Sequence, residues 1–172
     1  MGRDKASLPL PSGRSFVQHA VDRLRVVCNQ VVVSTAPDQF PPGLETVGQV
    51  IDPVSHQGPI IGVATCLDYA REHGFAGCLC TPVDMPGLTA EDLHRIRDAW
   101  IDSPDQLVVA IDAISGQLEP LVAVYPTRFA DDLGESAVSL DRSLVRWIER
   151  QSPMRVALPP RACSNVNTPD DL

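Results

Sequence analysis

The chain has 172 residues, 44% of them hydrophobic and 21% charged, with a formal net charge of −8. That length builds one sizeable core and leaves no room for two ordinary domains. There is no apolar run near the ~20 residues of a membrane span, no apolar leader in the first fourteen residues, and no Lys/Arg block for a polyanion. The expectation is a single domain over residues 1–172 in the cytoplasm, without nucleic-acid or membrane partners.

Taken in order, Ser15 caps a helix whose stripe is Phe16, Val17, Ala20, Val21 and Leu24. The β-branched run Gln30–Ser34 predicts a buried strand, and Val47–Ile51 a weaker one closed by Asp52-Pro53. Gly58-Pro59 opens a helix to about Glu72, because proline's missing N–H costs nothing in a first turn. Gly74 stops it, and Phe75–Cys80 predicts the next strand. The two prolines in Thr81-Pro82-Val83-Asp84-Met85-Pro86 forbid a central strand there, so Asp84 falls in the loop past the strand's carboxyl end.

Thr89 with Asp92 predicts a helix start of capping-box type, with Leu93, Ile96 and Trp100 facing inward. Leu107–Ile111 and Leu118–Tyr125 predict two strands, the second broken at Glu119-Pro120. A short helix follows from about Thr127. Leu140–Arg150 predicts a better one, with Leu144, Val145 and Ile148 in register. Arg155–Leu158 is a last short strand, and Thr168 is placed to cap a terminal turn. The alternation of helix and strand from Ser15 to Arg150 predicts an α/β sheet, largely parallel, covered on both faces.

Ligands in such sheets bind past the carboxyl ends of the strands. Ser34, Asp52 and Asp84 each end a predicted strand and should share one edge. An acidic residue there suits Mg²⁺ held by one or two carboxylates and substrate phosphates; it equally suits a turn-initiating Asp. The sequence has no GxSxG, GxGxxG or Walker A motif, and no Cys–His spacing of a nucleophilic site. Cys28, Cys66, Cys78, Cys80 and Cys163 form no CxxC pair, and the four histidines are scattered, so buried reduced thiols are expected rather than zinc. Of 14 basic residues only Lys5 is a lysine, beside Asp4.

Five segments in chain order resemble the molybdenum cofactor guanylyltransferase family. Met1-Gly-Arg-Asp-Lys5 is similar to the second half of L-A-G-G-x-S-x-R-M-G-x-D-K. Asp52 with Gly58-Pro-Ile-Ile-Gly62 resembles D…GPLAG, and Thr81-Pro-Val-Asp84-Met-Pro86 a C-D-x-P loop. Leu118–Tyr125 resembles an H-P-x-x-A-L-Y strand, and Asn165-Val-Asn167-Thr-Pro-Asp-Asp-Leu172 resembles N-x-N-T-P-E-D-L. The resemblance implies a Rossmann-like three-layer nucleotidyltransferase that moves GMP from GTP to molybdopterin with Mg²⁺ and releases pyrophosphate. It implies Lys5 on the phosphates, Asp84 on Mg²⁺, Ser34 and Asp52 in the nucleotide pocket, and Asn165 and Asn167 toward the second substrate. GTP and the molybdopterin cofactor are the implied partners, with molybdoenzyme maturation proteins and a homo-oligomer left open.

Three departures stand out. Ser34 occupies the place of an asparagine near the guanine, and Glu119 replaces the histidine before Pro120. The chain also begins at the methionine inside the signature, so the family's first strand and its glycine-rich phosphate loop are expected to be absent. That predicts unpaired strand edges mid-sheet, filled by a partner chain, a rearranged terminus or residues upstream of Met1. It also predicts weak activity for the chain as written. Two alternatives follow: a catalytically silent relative that binds molybdopterin or a partner enzyme, and a cytidylyltransferase-type relative.

Overall fold

The computed structural model describes residues 10, 13–39, 43–53 and 58–166. Lys5, Asn167 and the cap predicted at Thr168 lie outside them. Helix α1 (Phe16–Val27) starts where the Ser15 hydroxyl accepts the Gln18 amide and the Gln18 side chain accepts the Ser15 amide. This reciprocal pair satisfies two otherwise orphaned donors. Strands β1 (Val32–Thr35) and β2 (Gly48–Ile51) run parallel, and the ladder continues through the Asp52 amide to the Thr35 carbonyl. Helix α2 (Pro59–Glu72) opens at Gly58, whose φ of +88° favours glycine.

Strand β3 (Gly77–Cys80), helix α3 (Ala90–Ile101), strands β4 (Val108–Asp112) and β5 (Leu118–Pro126), and helices α4 (Ala130–Val138) and α5 (Leu144–Arg150) follow, with β6 (Met154–Leu158) last. The second sheet has the order β3-β5-β4-β6. Only β5 reverses: it is antiparallel to β3 and β4, whereas β6 is parallel to β4. Strict alternation of helix and strand fails at β4–β5 because these strands form a hairpin. Its turn is tied by Asp112 Oδ1, which accepts the Ile114 and Ser115 amides.

Each face of this sheet has its own core. Val109, Ala123 and Tyr125 point to one side, against Ile60 and Leu67 of α2, Leu133 of α4 and Trp147 of α5. Val108, Ala110, Val122 and Val124 point to the other, against Leu93 and Ile96 of α3 and the loop residues Met85 and Leu88. This is the period-2 arrangement of a strand buried on both faces. One sequence reading needs correction: helix α5 begins at Leu144, leaving Leu140 in solvent, and Trp147 rather than Val145 enters the core. Strand β5 runs from Leu118 to Pro126, but its pairing with β4 is interrupted beside Glu119-Pro120, where the sequence places a break. Val109 pairs with Ala123 and Ala110 with Glu119, so residues 120–122 leave the ladder, and the Pro120 carbonyl accepts the Tyr125 hydroxyl at 2.5 Å.

Among the described residues no ladder joins β1 to β3. A cavity of about 690 Å³ lies there, lined by Val32 and Val33 from one sheet, Leu79 from the other, and Val21, Val63 and Ala70 from α1 and α2. The effect shows in burial: Val108–Ala110 of β4 are fully buried, whereas Val32–Ser34 and Gly77–Cys80 are only half-buried. No helix among the described residues is long and apolar enough to cross a membrane.

Candidate active site

Ser34 is the penultimate residue of β1 and Asp52 directly follows β2, and the fold brings them together. The Ser34 hydroxyl donates to Asp52 Oδ1 at 2.7 Å. Gly62, in the first turn of α2, packs directly beneath. A Cβ there would stand 2.8 Å from Ser34 Oγ and 3.5 Å from Asp52 Oδ2. Ser34, Asp52, Gly58 and Gly62 form the polar end of the cavity; the remainder is mostly apolar. Among the described residues nothing pairs with the edges of β1 and β3 that flank the apolar part. The Ser34–Asp52 end has polar character of the kind a ligand pocket needs, and Asn29, Gln30, Thr81 and Arg97 also line the cavity.

Asp84 lies in the loop that leaves β3, as predicted, and the loop is fixed from three directions. The Val166 amide donates to the Asp84 carbonyl at 2.8 Å, which places exposed Asn165 beside the loop. Arg23 of α1 donates from Nη1 to the carbonyls of Met85 and Leu88, at 2.7 and 2.6 Å. Arg161 donates from Nη1 to the Gly87 carbonyl at 2.8 Å and to Asp92 Oδ2 at 2.8 Å. Gly87 has no room for a side chain, since a Cβ would meet the Arg161 carbonyl oxygen at 2.2 Å.

Sequence reasoning treated Glu119 only as a departure and passed over Arg23 and Arg161. Glu119 is buried on β5, and burial, then Asp112, then Asp84 raise its carboxyl above the ordinary 4.5. It therefore faces the same acidic locality as Asp84. Arg23 could have been found from sequence as the one charged residue adjoining the inward stripe of α1; it is 7% exposed. Nothing in the sequence marked Arg161.

The donor set fits a hard divalent cation. Mg²⁺ keeps several waters and takes only one or two carboxylates beside substrate phosphates, so Asp84 with Glu119 nearby suffices. The upward push that Asp112 and Asp84 exert on the buried Glu119 carboxyl is the kind of electrostatic condition a cation relieves. Among the described residues no group of three or more His, Cys, Asp or Glu could hold a metal by itself.

Residues 1–155 match the MobA-like NTP transferase domain. A relative from Rhodopirellula baltica, named "Probable molybdenum cofactor guanylyltransferase", is 42% identical, over 100% of this chain and 83% of that protein. Molybdopterin-guanine dinucleotide biosynthesis protein A from Archaeoglobus fulgidus superposes with a TM-score of 0.76 at 21% identity, covering 99% of this chain and 87% of that one. The 2-C-methyl-D-erythritol 4-phosphate cytidylyltransferase of Thermus thermophilus superposes at 0.71 with 18% identity, covering 97% and 89%. Both superpositions establish the fold.

Proposed function

The chain belongs to the MobA-like NTP transferase family, and from that premise we propose that it transfers GMP from GTP to the molybdopterin cofactor. A terminal phosphate oxygen of molybdopterin attacks the α-phosphorus of GTP. The new P–O bond forms as the α–β bridging bond breaks, and pyrophosphate leaves with that bond's electron pair. Residues 1–172 act as one nucleotidyltransferase unit.

Phosphoryl transfer of this kind needs positioning and charge neutralisation rather than a protein nucleophile. The observation that carries the reading is the Asp84 loop: a carboxylate past a strand end, fixed by Arg23, Arg161 and Val166. Mg²⁺ held by Asp84 would supply neutralisation of the triphosphate. Lys5 contacts the phosphates, Ser34 and Asp52 orient the nucleotide, and Asn165 and Asn167 face the second substrate. Ser34 has a shorter reach than an asparagine, so the base is held mainly through the Asp52 oxygen that Ser34 leaves unused.

Calorimetry tests this assignment. Asp84→Asn should abolish Mg²⁺-dependent GTP binding while circular dichroism and the thermal midpoint stay unchanged. Unaltered binding removes Asp84 from the site, and a global loss of stability returns it to a turn-forming role. A second reading, a catalytically silent molybdopterin- or partner-binding relative, draws on the glycine-rich phosphate loop, which the described residues do not supply. Single-turnover assays with GTP and with CTP separate guanylyl transfer, cytidylyl transfer and silence.

A further inference from the structure

Arg23 is a costly residue where it stands. Its guanidinium carries five N–H donors, and it is 7% exposed. Nη1 alone serves the Met85 and Leu88 carbonyls. Buried Nε and Nη2 have no hydrogen-bond partner among the described residues. Burial lowers the side chain's pKa to about 10, a sign of how poorly its charge is solvated. An apolar side chain of similar length would fill the same space without burying a charge, but it would leave the Met85 and Leu88 carbonyls without this donor. Packing alone therefore does not account for an arginine here.

Its two bonds do. The Leu88 amide also donates to the Met85 carbonyl, so residues 85–88 form a closed turn immediately after Asp84. Arg23 holds both ends of that turn from one nitrogen. Upstream, the Val166 amide holds the Asp84 carbonyl. With the residue before the turn and both ends of the turn pinned, the Asp84 main chain has little freedom to rotate.

We infer that Arg23 is a positioning residue for cation binding, orienting Asp84 by clamping the carbonyls of Met85 and Leu88. This rests on Asp84 as the metal ligand. Groups that act through a ligand's supports typically change metal affinity by about 10–100-fold when removed. A merely structural arginine would instead move the thermal midpoint and leave affinity alone.

The test is Mn²⁺ binding in the presence of GTP, read from the free-ion electron paramagnetic resonance signal, with thermal midpoints measured in parallel. Arg23→Met should weaken Mn²⁺ binding at least about tenfold in protein that is still folded at the assay temperature. Arg23→Lys, which keeps a charged donor for the two carbonyls, should restore binding to within a few-fold of wild type. Affinity equal to wild type in a folded Arg23→Met protein overturns the inference. If Arg23→Met does not fold, Arg23→Lys and Arg23→Gln decide. A graded loss from wild type through Lys to Gln supports positioning, and equal affinities overturn it. Asp84→Asn is run alongside: if it binds Mn²⁺ as wild type does, the ligand assignment has failed rather than the role of Arg23.

Discussion

Ser34 and Asp52 are joined by a 2.7 Å hydrogen bond across the parallel pair β1–β2, with Gly62 of α2 closing the space below. A methyl group on Gly62 would press on Ser34 Oγ at 2.8 Å, closer than real Cβ contacts come. Gly62→Ala should therefore destabilise by about 1–3 kcal/mol, the usual cost of overpacking. Ser34→Ala removes the offending oxygen and leaves the Ser34 Cβ at 3.7 Å. The double variant should recover most of the loss. Urea denaturation of all four proteins gives the coupling; additive losses would mean that the two positions do not share this contact.

Glu119 gives a pH signature. Burial, Asp112 and Asp84 raise its carboxyl above 4.5. A carboxyl with a raised folded value binds its proton more tightly in the native state. Stability is then lost as pH rises from 4.5 through the folded value, and Glu119 is a liability at neutral pH. Glu119→Gln should raise the thermal midpoint at pH 7, and the gain should fade below pH 4.5. Saturating Mg²⁺ and GTP should shrink the gain at pH 7, because a nearby cation supplies the missing counter-charge. A gain indifferent to metal would place Glu119 outside the cation's field.

The elements whose signals are local were legible in the sequence. Ser15 with Gln18, Thr89 with Asp92, and Gly58-Pro59 each mark a helix start within a few residues, and each start is found there. The prolines flanking Asp84 place it off the strand by the same kind of local constraint. The reversal of β5 was not read, because Ser115-Gly116 marks a turn between Leu107–Ile111 and Leu118–Tyr125 without saying which way the second strand enters the sheet. Trp147 was missed on α5 because its burial depends on packing edge-on to Phe129 and on its indole N–H donating to Asp132 at 2.8 Å. Arg23 and Arg161 act on carbonyls more than sixty residues away in sequence. The place of Arg23 beside the inward stripe of α1 could be read from the chain, but no pattern along it encodes which distant carbonyls Arg23 and Arg161 hold.

The thiols follow from burial. Cys28, Cys66, Cys78 and Cys80 all line the cavity between the sheets. Burial pushes the Cys28 thiol up to about 11 and Cys66 up to about 12. The hydrogen bond with Cys78, 3.9 Å away, and burial push Cys80 well up. Since the thiolate is the reactive form, native-state labelling at pH 8 should be slower than in the unfolded chain by about a hundredfold for Cys28 and about a thousandfold for Cys66. Cys80 should be slow as well. Mass spectrometry after timed alkylation reads each site separately. Rapid labelling of Cys78 or Cys80 would mean that the cavity admits reagent to the free edge of β3.

The start of α3 carries the last prediction. Thr89 Oγ accepts the Asp92 amide at 3.2 Å, while Asp92 Oδ2 accepts the Thr89 amide at 3.0 Å and its hydroxyl at 2.7 Å. The same carboxylate takes Arg161, which reaches on to the Gly87 carbonyl, so this cap also supports the Asp84 loop. Burial opposes the charge on Asp92, but the bonds from Arg161 and Thr89 outweigh it and hold the carboxyl below 3.8. Its stabilisation is therefore present above pH 3.8 and is lost as pH falls through the lower folded value. Thr89→Ala removes the helix cap and one of the donors to Asp92, and should cost about 1 kcal/mol at pH 7. The deficit should narrow below pH 3.8 as Asp92 protonates in wild type too, leaving the share due to the Asp92 amide. Denaturant titrations at pH 7 and pH 3 measure both values. A deficit of equal size at the two pH values would show that the Thr89 hydroxyl caps the helix without stabilising the Asp92 charge.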